Sequence, residues 1–352
     1  MIISAEIKGL RYVAKLGRSL ESFNLASLGN ALASKAAFLV EMDNSRTIAV
    51  SWWVSSKRTR SYPYARVYDT LQFSGKRATI IPVFKDEGKD GDRDFLQWDT
   101  VSLMSLLGIY VIIAYYRSAS PSTEYRNKIT NQRFDTEYLR TQLGELIHYQ
   151  SDALHWNLSQ VDGIGILARK ALLAYKTISR MLKVEMHSEK SALRKISYLL
   201  KGKKEFTSVS RKLAERAQLR EIITIQPKEK LSGTKAGITI KNYLGGFYYF
   251  TVDEARRENG KILLIEGKHT KRDQLPSTED IKDGLLKMIL YTNLQNVSLN
   301  SMKLSPVPVL LLTTGKKLTQ QELTSNSILR DLREEARLNG FRIQLNDTLV
   351  KS

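Results

Sequence analysis

The segment ILLIEGKHTK at 262–271 joins a short apolar run to charged residues that can do chemistry. The run ends on Glu266 and Lys268, with a single glycine between them. A buried strand that finishes on a carboxylate and an ammonium holds both groups rigidly at the edge of a sheet. Just upstream, Asn259-Gly260 is the strongest short signal for a two-residue type I′ hairpin. The segment is therefore predicted to be the second strand of a hairpin.

The register of this hairpin predicts a third charged residue at the same place. If the Asn-Gly pair forms the loop, Asp253 faces Glu266, and their Cβ atoms lie about 4.5–5.5 Å apart. Side chains alternate along a strand, so Lys268 points to the same face. A slip of one residue would move Asp253 to the other face, so the prediction depends on the turn.

Two close carboxylates and a lysine are a set that suits a divalent cation and a phosphate. Carboxylates repel each other unless a cation bridges them, and oxygen ligands with room for water suit Mg²⁺. The carbonyl of Gly267 is a natural further ligand. Such an ion polarises a phosphate oxygen and lowers the pKa of a bound water, while a lysine orients the water or neutralises the phosphate. The pattern suits metal-dependent phosphodiester hydrolysis, with a surface hairpin that carries an ordinary cross-strand ion pair as the alternative.

The elements around this hairpin predict an α/β fold for the region from about 223 to 352. After the two hairpin strands comes a helix opened by Pro276, Ser277 and Thr278. The apolar strand PVPVLLLTT, the helical TQQELTSNSILRDLREEARLNG and the strand GFRIQL follow. Strands joined by helical crossovers lie parallel or mixed in one sheet.

The rest of the chain divides into two further predicted regions. Residues 1–134 indicate a mixed α/β region, with strands near TIAVSWWV, RATIIPVF and IYVIIAYY. Residues 135–222 indicate a helical region in which Leu139, Leu143 and Leu146 share one helix face. The basic stretch 201–220 is predicted to continue it as a helix.

Charge and composition limit the classes of function that are possible. The 352 residues hold 55 Lys and Arg against 36 Asp and Glu, a net charge of +19, which suggests a polyanionic partner. The chain has no cysteine, which excludes disulfides and thiolate metal sites and fits a cytoplasmic setting. No signal peptide is predicted, because residues 1–20 carry charges throughout and lack an uninterrupted apolar region. No membrane span is predicted either, since the longest apolar stretch, 101–116, is too short. TTGKKLT lacks the first glycine of a P-loop, so no nucleotide cofactor is expected.

The segment around this hairpin resembles a known family of enzymes. TVDEARRENGKILLIEGKHTK, followed by a helix and VPVLLLTT, resembles the catalytic core of the PD-(D/E)XK nuclease superfamily. The continuation KHTKRDQLPSTEDIKDGLLKMILYTNL resembles certain type II restriction endonucleases. The resemblance covers about 223–345. It implies a restriction-endonuclease-like αβββαβ core with a mixed sheet.

The resemblance also implies roles for individual residues. Asp253 and Glu266 would hold Mg²⁺, with Lys268 near the attacking water. Val252 stands before Asp253, where the family motif has proline. Many members add an acidic residue from the helix before the hairpin, and two residues qualify for this role, Glu215 and Glu221.

Two other stretches attract attention. SWWVSSKRTRSYPYARVY at 51–68 mixes basic and aromatic residues, a composition that suits DNA contact, with a core role for the tryptophans as the alternative. The candidate DNA contacts are Lys57, Arg58, Arg60, Arg66, Lys271 and Arg272.

The acidic KDEGKDGDRDF at 85–95 lacks the glycine and glutamate of a calcium loop. It is predicted to be a solvated turn, with a second metal or catalytic site as the alternative.

The sequence thus predicts a Mg²⁺-dependent endonuclease acting on double-stranded DNA, in the manner of a type II restriction enzyme. Cleavage of two strands favours a homodimer with twofold symmetry. A PD-(D/E)XK nuclease of repair, transposition or another form of phage defence is one alternative. A non-catalytic DNA-binding protein on a nuclease-like fold is the other.

Overall fold

The computed structural model describes residues 1–43, 46–57, 61–200, 215, 218–219, 234–242, 247–316 and 326–350. The strands, numbered along the chain, are β1 (Ile2–Ile7), β2 (Ser22–Asn24), β3 (Ala37–Glu41), β4 (Thr47–Trp52), β5 (Lys76–Pro82), β6 (Phe84–Asp86), β7 (Arg93–Phe95), β8 (Tyr110–Ala114), β9 (Tyr116–Pro121), β10 (Ile129–Phe134), β11 (Thr234–Asn242), β12 (Phe247–Glu258), β13 (Lys261–His269), β14 (Gln295–Leu299), β15 (Met302–Lys303), β16 (Ser305–Thr313), β17 (Arg342–Leu345) and β18 (Thr348–Val350). The helices are α1 (Leu28–Ser34), α2 (Pro63–Tyr68), α3 (Trp98–Leu106), α4 (Thr136–His148), α5 (Ala153–Asp162), α6 (Ile164–Leu182), α7 (Glu189–Leu200), α8 (Thr278–Tyr291) and α9 (Ser327–Asn339), with a 3-10 turn at Leu25–Ser27.

The protein is a mixed α/β protein whose chain forms two compact units. The nine-stranded unit consists of Met1–Arg18 and Lys212–Ser352, and the five-stranded unit consists of Ser19–Arg211. Among the described residues, no helix is both long and apolar enough to cross a membrane.

The nine-stranded unit is built on one mixed sheet. Its strands lie in the order β15-β14-β1-β11-β12-β13-β16-β17-β18. β11, β12 and β13 form an antiparallel meander, while β16 and β17 run parallel to β13. α8 packs against β13 and β16, and α9 packs against β17. The strands and helices predicted from the hairpin onward are confirmed where the structure describes them. The predicted helical residues before 326 and most of 201–220 lie outside the described residues.

The five-stranded unit contains a mostly parallel sheet in the order β2-β3-β4-β5-β8. The predicted strands near TIAVSWWV, RATIIPVF and IYVIIAYY are confirmed as β4, β5 and β8. α4 and α5 pack on β8, and α6 packs on β9. The buried faces of these helices therefore cover the same strands that the sequence had assigned to a separate region.

The compact units differ from the predicted boundaries at 134 and 222. β1 belongs to the nine-stranded sheet, where Ile2–Ile7 pairs in parallel with residues 237–242 of β11. The helices after 134 belong with the strands before it, because their apolar faces are buried on β8 and β9. Periodicity located these elements correctly, but long-range pairing decided how they group.

The hairpin that carries the candidate site has the predicted register. Glu258 faces Lys261 and Glu254 faces Ile265, which is the last facing pair before Asp253 and Glu266. The loop residues Asn259 and Gly260 have φ values of 43° and 76°, as a type I′ turn requires. The turn prediction is therefore confirmed.

A bulge in β12 changes the direction of the side chains where this strand contributes to the site. Thr234 pairs with Ala255 and Ala236 pairs with Val252, so two residues of β12 lie opposite a single residue of β11. Those two residues are Asp253 and Glu254. Bulges of this kind bend a strand and redirect side chains, and they recur beside functional sites.

α8 begins where the sequence places it. The side chain of Ser277 caps the helix by accepting the backbone N–H of Asp280, and Glu279 and Asp280 lie in the first turn. Acidic residues there interact favourably with the positive end of the helix dipole. The buried residues of α8 include Ile281, Leu285, Met288 and Ile289, which fall on one face of the helix. This cap and this face together fix which side chains of α8 point at β13.

The turn can be tested by replacing Gly260 with alanine. A residue with a Cβ is strained at a φ of 76°, so the Gly260→Ala variant should lose about 1–2 kcal/mol of stability. The control is Gly144→Ala inside α4, where an added Cβ meets nothing within 4 Å. That change should stabilise the protein by about 0.5–1 kcal/mol, because alanine favours a helix. Urea unfolding followed by circular dichroism measures both, and an unchanged stability for Gly260→Ala would contradict the turn.

Candidate active site

Glu266 is a buried carboxylate held between two lysines. Its side chain is 1% exposed. The ammonium of Lys268 lies 3.1 Å from Oε1, and the ammonium of Lys287 lies 2.7 Å from Oε2. Burial raises the pKa of Glu266, but the charges of Lys287 and Lys268 outweigh burial and lower it below its usual value. Glu266 is therefore ionised within the fold.

Lys268 is oriented by groups from two different elements. Besides Glu266 on its own strand, its ammonium donates to Oδ2 of Asp283 on α8 at 2.7 Å. Burial lowers the pKa of Lys268, but the charges of Glu266 and Asp283 outweigh that and raise it above the usual value. The lysine is thus a fixed cation between a strand and a helix.

Gly284 provides the space that the Lys268 side chain occupies. A Cβ at this position would lie 2.8 Å from Cδ1 of Leu310 and 3.1 Å from Cε of Lys268. Both distances are shorter than ordinary van der Waals contact, so a larger residue at 284 would require the Leu310 and Lys268 side chains to shift. The glycine helps to define where the ammonium lies.

Asp253 reaches the site from the opposite strand of the hairpin. Its Oδ2 accepts the backbone N–H of Gly267 at 3.0 Å. Gly267 lies between Glu266 and Lys268, so this hydrogen bond brings the Asp253 carboxylate to the middle of the EGK sequence. The three residues predicted to act together, Asp253, Glu266 and Lys268, are therefore brought together by the structure.

Lys287, on α8, forms an ion pair with Glu266 and is also stabilised in its charged form by Asp253. Burial lowers the pKa of this lysine, but the charges of Glu266 and then Asp253 outweigh burial and raise it well above its usual value. Lys287 and Asp283 are one helical turn apart on the same helix. The site cluster, as we call it from here on, consists of Asp253, Glu266, Lys268, Asp283 and Lys287.

The donor set of this cluster fits a divalent cation. Asp253 and Glu266 supply carboxylate oxygens, and the carbonyl of Gly267 lies in the chain between Glu266 and Lys268. Three carboxylates outnumber two ammonium groups in the cluster, so added positive charge is favourable. Among the described residues, no group of three or more carboxylate and imidazole side chains is arranged to hold a metal. A Mg²⁺ here would take the remaining ligands from water, as this ion commonly does.

The additional acidic residue stays a prediction. Glu215 is exposed, and no hydrogen bond or ion pair within the described part of the chain connects it to the site cluster. Glu221 lies outside the described residues. Glu254 is buried and pairs with Ile265, and so it points away from Glu266 as the alternation predicts.

The predicted DNA contacts differ in solvent exposure and in the contacts that their side chains already make. Lys271 and Arg272 are exposed directly after β13. Lys57 is 56% exposed, with its ammonium 3.9 Å from Asp94. Arg66 donates to the carbonyl of Trp52 at 2.9 Å and stacks over its ring, so it holds α2 to β4. Arg58 and Arg60 lie outside the described residues.

The acidic segment 85–95 is exposed at its turn, at Lys89, Asp90 and Asp92, but the expectation of a solvated turn was wrong for residues 85–88, which are buried. Lys85, Asp86 and Glu87 are buried, at 8%, 4% and 8% exposure. β6 and β7 form a hairpin here, and each charge has a partner, as burial demands. His187 lies 2.7 Å from Asp86, and Lys85 lies 2.8 Å from Glu87. These pairs give the loop a structural role.

Sequence reasoning missed Asp283 and Lys287, although a signal for one was present. Lys287 falls between Gly284 and Tyr291 at helical spacing, next to Met288 on the buried face of α8. A lysine inside an apolar stripe needs a buried carboxylate partner. Asp283 carries no comparable signal, since it is partly exposed and its partner belongs to another element.

The buried charges of the cluster can be tested by replacing Glu266 with alanine. The change leaves Lys287 without its carboxylate, so the free energy of unfolding should fall by about 3–5 kcal/mol. The control is Glu334→Ala, which breaks the exposed pair with Lys15 at 2.9 Å. That variant should unfold almost as the wild type does, because exposed ion pairs contribute little. Equal effects of the two substitutions in urea unfolding would contradict the buried network.

Comparisons with known proteins add no assignment to this geometry. No protein-family model matches the sequence, and no curated protein or solved structure matches the chain. What can be said of the function therefore rests on the residues of the site cluster and on the elements that hold them.

Proposed function

We propose that this protein is a Mg²⁺-dependent endonuclease of the PD-(D/E)XK type that cleaves double-stranded DNA. The observation that carries the proposal is the hydrogen bond from the Gly267 backbone to Asp253. It places one carboxylate beside a second carboxylate and a lysine on adjacent strands. Sites built on strands hold their groups more exactly than sites built on loops.

The elements around the cluster support this proposal. β11, β12 and β13 form a meander, α8 follows, and β16 then runs parallel to β13. This order is what the βββαβ part of a restriction-endonuclease-like core requires. The net charge of +19 also suits a polyanionic substrate.

Each residue has a distinct role in the proposed reaction. Asp253, Glu266 and the Gly267 carbonyl would hold Mg²⁺, which would supply Lewis-acid chemistry toward the phosphate and a bound water. Lys268, fixed between Glu266 and Asp283, offers its ammonium to the negative charge that develops on the phosphate. Asp283 and Gly284 are positioning residues, because they act through Lys268.

We further propose that the enzyme is a sequence-specific type II restriction endonuclease that acts as a homodimer in the cytoplasm. The sequence between Lys268 and Leu294 supports the first part through its resemblance to certain enzymes of that kind. Two strands need two cuts, and a dimer with twofold symmetry presents one site to each strand. DNA contact outside the site cluster is assigned to Lys271 and Arg272, which follow β13 and are exposed.

The activity is tested by incubating plasmid and phage DNA with Mg²⁺ and the wild-type protein. A restriction enzyme gives discrete fragments, whereas a nuclease of repair, transposition or another defence role gives nicks or a smear. Asp253→Asn, Glu266→Gln and Lys268→Gln should each reduce cleavage at least about 100-fold, since each removes a charge used in the transition state.

The matched control for cleavage is Lys261→Gln, at the exposed start of the same strand. It should cut as the wild type does, and circular dichroism should show that all four variants are folded. Full cleavage by the Glu266→Gln variant would show that the active site lies elsewhere in the protein. DNA binding without cleavage by the wild type would favour the non-catalytic alternative.

The proposed DNA contacts are tested by the double change Lys271→Gln and Arg272→Gln. Binding to DNA without Mg²⁺ should weaken for all sequences alike, because both side chains would contact phosphates. The slope of log affinity against log salt should fall by about two. Lys303→Gln on β15, also exposed, is the control and should keep the wild-type slope. An unchanged slope in the double variant would exclude these two residues from the interface.

A further inference from the structure

Lys287 and Lys268 contact opposite oxygens of Glu266 but differ in their other partners. Lys268 also donates to Asp283, so it keeps a carboxylate partner if Glu266 is taken by another group. For Lys287, Glu266 is the one carboxylate in ion-pair contact within the described part of the chain, at 2.7 Å. A cation that binds Glu266 Oε2 therefore competes with Lys287 and can leave Lys268 in place.

The surroundings of Lys287 indicate that its positive charge compensates the nearby carboxylates. Its side chain is 16% exposed and comes from the buried face of α8. Placing an ammonium there is costly unless it compensates negative charge. Glu266 and Asp253 both stabilise its charged form. An ammonium near two carboxylates compensates their negative charge as a divalent cation would, but with one positive charge instead of two.

We propose that Lys287 is the internal counter-cation of the site, which compensates the charges of Glu266 and Asp253 when no metal is bound. A divalent cation that binds these carboxylates displaces the Lys287 ammonium from Glu266 Oε2. Lys287 thereby reduces the repulsion between the two carboxylates in the metal-free protein and weakens metal binding by competition. This inference rests on the proposed function, since it assumes that the two carboxylates take a metal.

The proposal is tested by titrating the full-length protein with Ca²⁺ in a calorimeter, without DNA. Ca²⁺ is the probe because it binds carboxylate oxygens and the measurement needs no turnover. Lys287→Met removes the competing charge, so it should bind Ca²⁺ at least about tenfold more tightly than the wild type. Lys303→Met removes an equal charge from the exposed strand β15 and should bind as the wild type does.

A second variant keeps the proposal testable if Lys287→Met folds poorly. Lys287→Arg retains the positive charge and adds a fork that grips a carboxylate through two N–H groups. It should bind Ca²⁺ more weakly than the wild type. The two substitutions thus shift the affinity in opposite directions, which a loss of folding does not produce.

Thermal unfolding gives an independent measurement. In the presence of EDTA, Lys287→Met should unfold at a lower temperature than the wild type, because Glu266 has lost a counter-charge. Ca²⁺ should raise the unfolding temperature of Lys287→Met by more than it raises that of the wild type, since a tighter ligand stabilises the folded state more.

The outcomes separate this inference from the proposed function. If the folded wild type binds no divalent cation, the metal-dependent activity fails, and the inference fails with it. If the wild type binds Ca²⁺ and Lys287→Met binds it equally or more weakly, only the counter-cation role is overturned, and the nuclease proposal stands.

Discussion

A carboxylate that is 1% exposed must be matched by positive charge, and much of the site follows from this requirement at Glu266. An isolated ionised group in a protein interior is very unfavourable, so its neighbours are constrained in type and position. Lys268 meets the requirement from the same strand and Lys287 meets it from α8. The helix is thereby tied to the sheet through charges as well as through its apolar face.

Two departures from regular strand geometry bring the second carboxylate to this centre. The type I′ turn sets the facing pairs of β12 and β13, and the bulge beside Val252 turns β12 where it leaves β11. Together they decide whether Asp253, one of the two bulge residues, reaches the backbone of Gly267 or points elsewhere.

Local signals made the hairpin, Glu266, Lys268 and the Ser277 cap predictable, because each depends on residues close in sequence. Asp283 is a different case, since its contact with Lys268 depends on how closely α8 approaches the sheet. The loop at 85–95 was misjudged for a related reason. Its polar composition suggested exposure, but His187 and Tyr175, some ninety to a hundred residues later in the chain, lie against Asp86 and permit its burial.

The pairing of β1 with β11 also determines the order in which the chain can fold. β1 is synthesised well before its parallel partner, which begins at Thr234. The residues of the five-stranded unit, Ser19–Arg211, come between the two strands in the sequence. Closing so long a loop carries an entropy cost and makes this contact slow to form. Until residues 234–242 have been synthesised, the apolar side chains of Ile2–Ile7 lack the strand that pairs with them in parallel.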